Sequence, residues 1–283
     1  MNFGISFPSV ELSDPGAIKE YIQGAEELGF TQLTALEHTL GVRSSANYSP
    51  DQPIHEPMVL FAFMAAVTSR IRFTNSILIL PQRQAILVAR QAAEIDVLSD
   101  GRMQLGIGIG SNADEAAAMG TDYHTRGARV DEQIDLIRQL WTHEEVSFHG
   151  KWHDVEGGLM VLPVQRPIPI VMGGGKGERP LQRIGRLADG WIVPGNSPGE
   201  TRSQLATIRA AAAAAGRDPN AIKIQGRLAL SGGSPEDWLE KAESWKEIGA
   251  TDVVVSTARS GFTQPSQHLD LAAQFMQETA PKL

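Results

Sequence analysis

Residues 71–110 read IRFTNSILILPQRQAILVARQAAEIDVLSDGRMQLGIGIG. A β-type run at Ile71–Leu80 is followed by a helical stretch at Gln84–Leu98 and a second β-type run at Met103–Gly110. Strand, helix, strand is the unit that pairs strands in parallel through a crossover. The alternation continues in both directions. Toward the N-terminus lie strands at Phe3–Phe7 and Gln32–Leu36, a helix at Pro15–Leu28 closed by Gly29, and a helix at Pro57–Val67. Toward the C-terminus lie strands at Ile168–Met172, Gly190–Val193, Lys223–Leu230 and Asp252–Ser256. Helices are expected at Arg126–Trp141, Pro180–Leu187, Thr201–Ala215, Pro235–Ile248 and Ser266–Glu278. About eight such units predict an α/β fold, a TIM (β/α)8 barrel. Val146–Pro167 breaks the pattern with aromatic, glycine and proline residues. It is expected as a rim insertion, an extra hairpin beside the barrel. No stretch has the composition of an interdomain linker, so residues 1–283 are read as one domain.

Composition narrows the chemistry. The 33 Asp and Glu against 25 Lys and Arg give a net charge of −8, which argues against gripping nucleic acid or an anionic membrane. A small-molecule substrate is the expected partner, and a homodimer is compatible with the sequence. The absence of Cys excludes disulfides, thiolate metal centres and a Cys nucleophile. The opening MNFGISFPSV lacks a charged n-region and a long apolar core. No apolar run approaches the roughly 20 residues of a bilayer span, so a cytoplasmic location is expected.

Barrel chemistry is built at the C-terminal ends of the strands, and four of those ends are unusual. Glu37-His38 follows the second strand. There His38 can exchange a proton with a substrate while Glu37 contacts a ring amide; a His covered by the following loop, with Glu37 in solvent, is the equally open alternative. That loop, Glu37–Glu56, is long enough to act as a lid. In the fourth strand Gly106, Gly108 and Gly110 share one face, which suggests a flat ligand pressed against it. The run Gly108–Ala113 also fits a loose dinucleotide fingerprint, but that motif belongs to the first turn of an open doubly wound sheet. Gly173-Gly174-Gly175-Lys176-Gly177 precedes a helix, where converging N–H groups make an anion site; the alternative is a flexible turn. Thr74-Asn75-Ser76 interrupts an apolar strand with small polar residues that need partners.

Other readings are weaker. His149 and His153 lie in the irregular insertion and read as surface or packing residues, so no metal site is expected. No Ser sits in a G-x-S-x-G context. Arg70, Arg72, Arg102 and Asp96 are expected in structural ion pairs, and Trp141, Trp191, Trp238 and Trp245 in packing positions.

The motifs His55-Glu56-Pro57, Ala66–Ile71, Ile79–Gln84, Gln91–Glu94, Asp96–Ser99, Gly106–Gly110, Pro163–Pro167 and Ala188–Trp191 together resemble the bacterial luciferase-like monooxygenase superfamily, and within it the coenzyme F420-dependent oxidoreductases. The resemblance implies a barrel that holds a flavin or deazaflavin at its mouth and passes a hydride to or from a small organic substrate. It implies F420 as cofactor, with an FMN-dependent monooxygenase as the alternative. A non-catalytic flavin- or deazaflavin-binding protein is the alternative of another class. Glu37 and His38 match the family's acidic residue and histidine, Ser76 and Ile77 the pair joined by a non-proline cis peptide behind the ring, and Gly173 and Gly174 the backbone at the phosphate. Gly175 extends that turn. Where sugar-phosphate dehydrogenases of the superfamily carry a catalytic Glu, this chain has Ser111. That leaves His38 as the acid/base residue and Asn112 as the polar cofactor contact from that strand end.

Overall fold

The computed structural model describes residues 1–42, 54–175, 177–195 and 198–283. Most of the expected lid, residues 43–53, and Lys176 lie outside the described residues. The elements follow in order as β1 (Asn2–Ser6), α1 (Pro15–Glu27), β2 (Gln32–Ala35), α2 (Pro57–Ala66), β3 (Arg72–Asn75), β4 (Leu78–Ile79), α3 (Ala85–Leu98), β5 (Met103–Gly108), α4 (Ala113–Ala118) and α5 (Arg126–Thr142). Then come β6 (Glu145–His149), β7 (Asp154–Leu159), β8 (Ile170–Gly173), α6 (Glu178–Leu187), β9 (Gly190–Ile192), α7 (Pro198–Ala214), β10 (Lys223–Ala229), α8 (Pro235–Ile248), β11 (Asp252–Ser256) and α9 (Pro265–Glu278).

Local chemistry sets the element ends. Asp14 accepts from the N–H groups of Gly16 and Ala17 ahead of Pro15, which starts α1, and Gly29 at φ 90° closes it. Glu56 caps α2 by accepting from Val59 N–H at 2.8 Å. Ser234 and Asp237 form a reciprocal box at the start of α8, and Gly249 ends it in a left-handed conformation.

Parallel pairing runs from β3 through β2, β1, β11, β10, β9 and β8 to β5, and β5 pairs back onto β3 and β4. The sheet is therefore a closed eight-stranded TIM barrel with β3 and β4 sharing one stave. The expected insertion is the antiparallel hairpin β6–β7, a separate two-stranded sheet. The single third strand expected over 71–80 is broken between Asn75 and Leu78, where the Ser76–Ile77 peptide is cis. A further helix, α4, occupies a stretch with no element expected from the sequence.

Barrel strands alternate between interior and helix-facing positions. Leu105 and Ile107 are fully buried, while the interior-facing Gly106 and Gly108 look onto the broken stave. A Cβ on Gly106 would overlap the Asn75 carbonyl, and one on Gly108 would stand 2.5 Å from the Ile77 side chain. The glycine face thus makes room for a neighbouring segment of chain, which corrects the expectation that a flat ligand presses directly on it. Lower in the barrel, Gln32 Nε2 donates to Thr74, to Gln104 Oε1 at 3.0 Å and to Gln225 Oε1 at 3.3 Å. This amide layer crosses the interior.

Two expected ion pairs are replaced by neutral bonds. Buried Arg102 donates to the carbonyls of Ala65, Thr68, Ile71 and Ser99, satisfying chain ends that a helix leaves open. Buried Asp96 accepts from Gln165 N and Nε2 at 2.9 and 2.7 Å. Trp141, Trp191 and Trp238 are buried, and half-buried Trp245 covers Gly226 on the outer face of β10.

Gly106→Ala is expected to lower stability by at least the roughly 1–3 kcal/mol of an overpacked core, because the atom in its way is backbone. A urea midpoint equal to that of the wild type would contradict this packing. His268 provides a pH test. It is buried, meets Thr257 Oγ1 at 2.9 Å, and has no hydrogen-bond partner for Nε2 among the described residues; burial lowers its pKa from 6.5, with Glu11 and Thr257 opposing. The unfolded chain then binds this proton more readily than the folded one, so stability falls as pH drops from about 6.5 toward the lowered folded value. His268→Met should remove that part of the slope in urea titrations at pH 7.5 and 5.5. The carboxylate-driven loss at lower pH should remain.

Candidate active site

The C-terminal ends of the strands surround a cavity of about 610 Å³. Interior positions of β1 and β11 contribute the small side chains Ser6 and Ser256, and β10 contributes Arg227. Ser76 and Ile77 enter from the break between β3 and β4, His38 from beyond β2, and Ser111, Asn112 and Glu115 from beyond β5. Five residues singled out in the sequence, Glu37, His38, Ser76, Ile77 and Asn112, therefore meet around one cavity.

Their side chains do not all play the expected parts. Glu37 is buried, with Oε1 taking the guanidinium of Arg83 (Nε at 2.6 Å) and Oε2 taking the N–H of Ile79. Thr39 Oγ1 adds a third donor at 3.2 Å. Burial pushes this carboxyl above its ordinary pKa, and Arg83 and the Ile79 N–H oppose that rise. The carboxylate holds the loop after β2 onto β4 and the segment that follows it, and Glu37 also lines the cavity. Asn112 is the N-cap of α4, its Oδ1 accepting from Asp114 N at 2.9 Å and Glu115 N at 3.1 Å. The cap uses the amide oxygen, and Asn112 also lines the cavity, where the sequence expects a polar contact from this strand end.

Glu115 and Arg227 line the cavity and were not singled out in the sequence. Asn112 and Glu115 stand three apart at a helix start, a spacing that marks a capped first turn, and the cap aims Glu115 inward. Its side chain is 2% exposed and its Oε2 lies 3.5 Å from His38 Nδ1, the imidazole being 29% exposed. Glu115 Oε1 is buried without a hydrogen-bond partner among the described residues. A buried carboxylate against one ring nitrogen fixes the tautomer and orientation of the imidazole. The arrangement can accept or deliver a proton at His38 beside the Ser76–Ile77 wall.

The glycine turn forms a second locality. Gly173 ends β8, and a Cβ there would meet Ile77 Cγ2 at 2.6 Å, so the turn is anchored to the wall of the cavity. Gly174 has φ 126° with nothing within 4 Å of a Cβ position among the described residues, and its carbonyl accepts from Trp191 Nε1 at 2.7 Å. Gly175 packs toward Trp191 and Pro194. Gly177 precedes α6 with no side chain capping the helix. Gly174 and Gly175 do not line the central cavity among the described residues. His149 pairs with Asp154 at 2.7 Å and His153 with Glu132 at 2.8 Å, as packing and surface residues do. Among the described residues no group of three metal-ligating side chains converges, and no helix is long and apolar enough to cross a membrane.

Comparison with known proteins agrees with this architecture. The model of the luciferase-like monooxygenase family matches residues 1–280, and the chain belongs to that family. It is 31% identical over 245 residues to an uncharacterised protein of Mycobacterium bovis, covering 82% of each chain. It is 30% identical over 249 residues to the F420-dependent glucose-6-phosphate dehydrogenase of Kineococcus radiotolerans, covering 86% of this chain and 72% of that one. A solved monooxygenase of Streptomyces bottropensis superposes with a TM-score of 0.81 at 22% identity over 100% of this chain and 99% of that one.

The Glu37–Arg83 pair yields a stability test. Arg83→Met should cost about 3–5 kcal/mol, because it leaves a buried carboxylate uncompensated. Arg83→Met combined with Glu37→Leu should lose less than Arg83→Met alone. Equal losses by urea denaturation would show that the pair is not what holds these segments together.

Proposed function

We propose that this member of the luciferase-like family is an F420-dependent oxidoreductase that passes a hydride between the deazaflavin and a small organic substrate at the barrel mouth. The observation that carries the reading is the His38–Glu115 pair facing the Ser76–Ile77 wall across one cavity. The similarity to an F420-dependent dehydrogenase supports the choice of cofactor.

The residues present fit such a group. The open side of Gly174 and the uncapped start of α6 make a cradle for a phosphate. Ile77, wedged over Gly108 and Gly173, gives a firm apolar wall at the base of the cavity, with Ser76 beside it. When bound, the cofactor would supply the hydride chemistry. The protein's part is to hold the substrate against that wall and to manage one proton. On oxidation of an alcohol, the carbon gives up its hydrogen with the electron pair, and the hydroxyl proton passes to His38 Nε2. Glu115 keeps Nδ1 as the other end of the imidazole and balances its charge.

Titrating the purified protein with F420 and with FMN tests the cofactor, and tighter binding of F420 is expected. Tight FMN and weak F420 binding would favour an oxygen-using flavin monooxygenase. His38→Ala should lower the rate of F420 reduction, measured over a panel of small alcohols, by about 10²–10⁴-fold, while F420 affinity changes only a few-fold. Equal loss of both would make His38 a cofactor clamp. Retained binding with no turnover of any substrate in wild type would favour a carrier protein.

A further inference from the structure

The carboxylates and guanidiniums around the cavity are not all matched in pairs. Three carboxylates line it, and each has a donor among the described residues: Glu37 takes Arg83, Glu115 faces His38, and Glu11 Oε1 accepts the N–H of Arg259 at 2.9 Å. Arg227 has no carboxylate partner among them. It rises from the interior face of β10, lines the cavity, and donates from Nη2 to the neutral Ser76 Oγ at 2.6 Å. A guanidinium has five N–H donors in a planar fork, so one bond to a hydroxyl leaves most of its capacity unused. Desolvation by the barrel walls lowers its pKa, yet a guanidinium stays charged at neutral pH. Arg227 is exposed rather than sealed inside the barrel, so its unused donors are within reach of an anion that enters the cavity.

We propose that Arg227 binds a carboxylate of the substrate, so that the molecule acted on here is a small organic acid held between Arg227 and His38. The role of His38 at the reacting end rests on the hydride-transfer reading, whereas the anion site does not. Two parallel N–H donors of one guanidinium match the two oxygens of a planar carboxylate. The bond to Ser76 Oγ steadies the fork against the wall on which the reaction would take place. Net charge does not oppose this, because a local cation with low-dielectric walls focuses an anion even in a protein of net charge −8.

Calorimetric titration of the full chain with acetate, hexanoate and benzoate, and with the corresponding amides, tests the site. At least one acid should bind, with its amide about tenfold weaker or more. Arg227→Gln should weaken that acid about 10- to 100-fold, and Arg227→Lys should retain part of the affinity, with F420 or FMN affinity within a few-fold in both. Failure of every acid to bind wild type, equal binding of acid and amide, or an unchanged acid affinity in Arg227→Gln would each overturn the proposal. Loss of cofactor affinity in both variants would also overturn it, by moving Arg227 to the cofactor. Inorganic phosphate binding more tightly than every acid, and lost in Arg227→Gln, would replace the carboxylate with a phosphate ester. If Arg227→Gln does not fold, Arg227→Lys and the acid–amide contrast on wild type still decide. Cofactor titration of wild type separately decides the hydride-transfer reading, so the two can fail independently.

Discussion

The structure turns on one close approach, that of the broken third stave to the glycine face of β5. The Asn75 carbonyl occupies the space a side chain on Gly106 would need, and Ile77 fills the space above Gly108 and Gly173. Backbone that comes this near its neighbour tolerates only hydrogen on the opposing Cα. Everything at the mouth takes its place from this contact. Ser76 is presented to Arg227, Ile77 becomes a wall, and β4 with the chain beyond it delivers the Ile79 N–H and Arg83 to Glu37.

Electrostatics at the mouth is organised by pairing across long stretches of chain. Glu37 and Arg83 are 46 positions apart and Ser76 and Arg227 are 151 apart, yet each pair joins elements that the closed barrel sets side by side or face to face. Glu37 acts as a structural clasp. His38 faces the cavity, and the carboxylate beside it comes from α4. One acid that lines the cavity is thus also tied into the scaffold, and a second, buried in the first turn of a short helix, stands beside the imidazole.

What could be read from the sequence follows the range of the forces involved. The staves and outer helices were legible because strand alternation and helix caps are local, as at Asp14-Pro15 and Ser234–Asp237. The break at Ser76 was legible as polar residues in an apolar run. The purpose of the glycines was not, because a cradle for a ligand and a cradle for a neighbouring strand leave the same pattern. Glu115 and Arg227 escaped for a related reason. The Asn112–Glu115 spacing marks only a helix start and Arg227 has no local mark, and only closure of the barrel brings Glu115 to His38 and Arg227 to Ser76. Arg102 and Asp96, expected in ion pairs, found backbone and amide partners that composition does not reveal.

The glutamine layer beneath the cavity has a consequence for traffic. Gln32, Thr74 and Gln225 are buried and hydrogen-bonded across the barrel, so the interior is stoppered at one end and open at the other. Anything that reaches the interior must enter and leave through that one neck, past His38, Ser76 and Arg227.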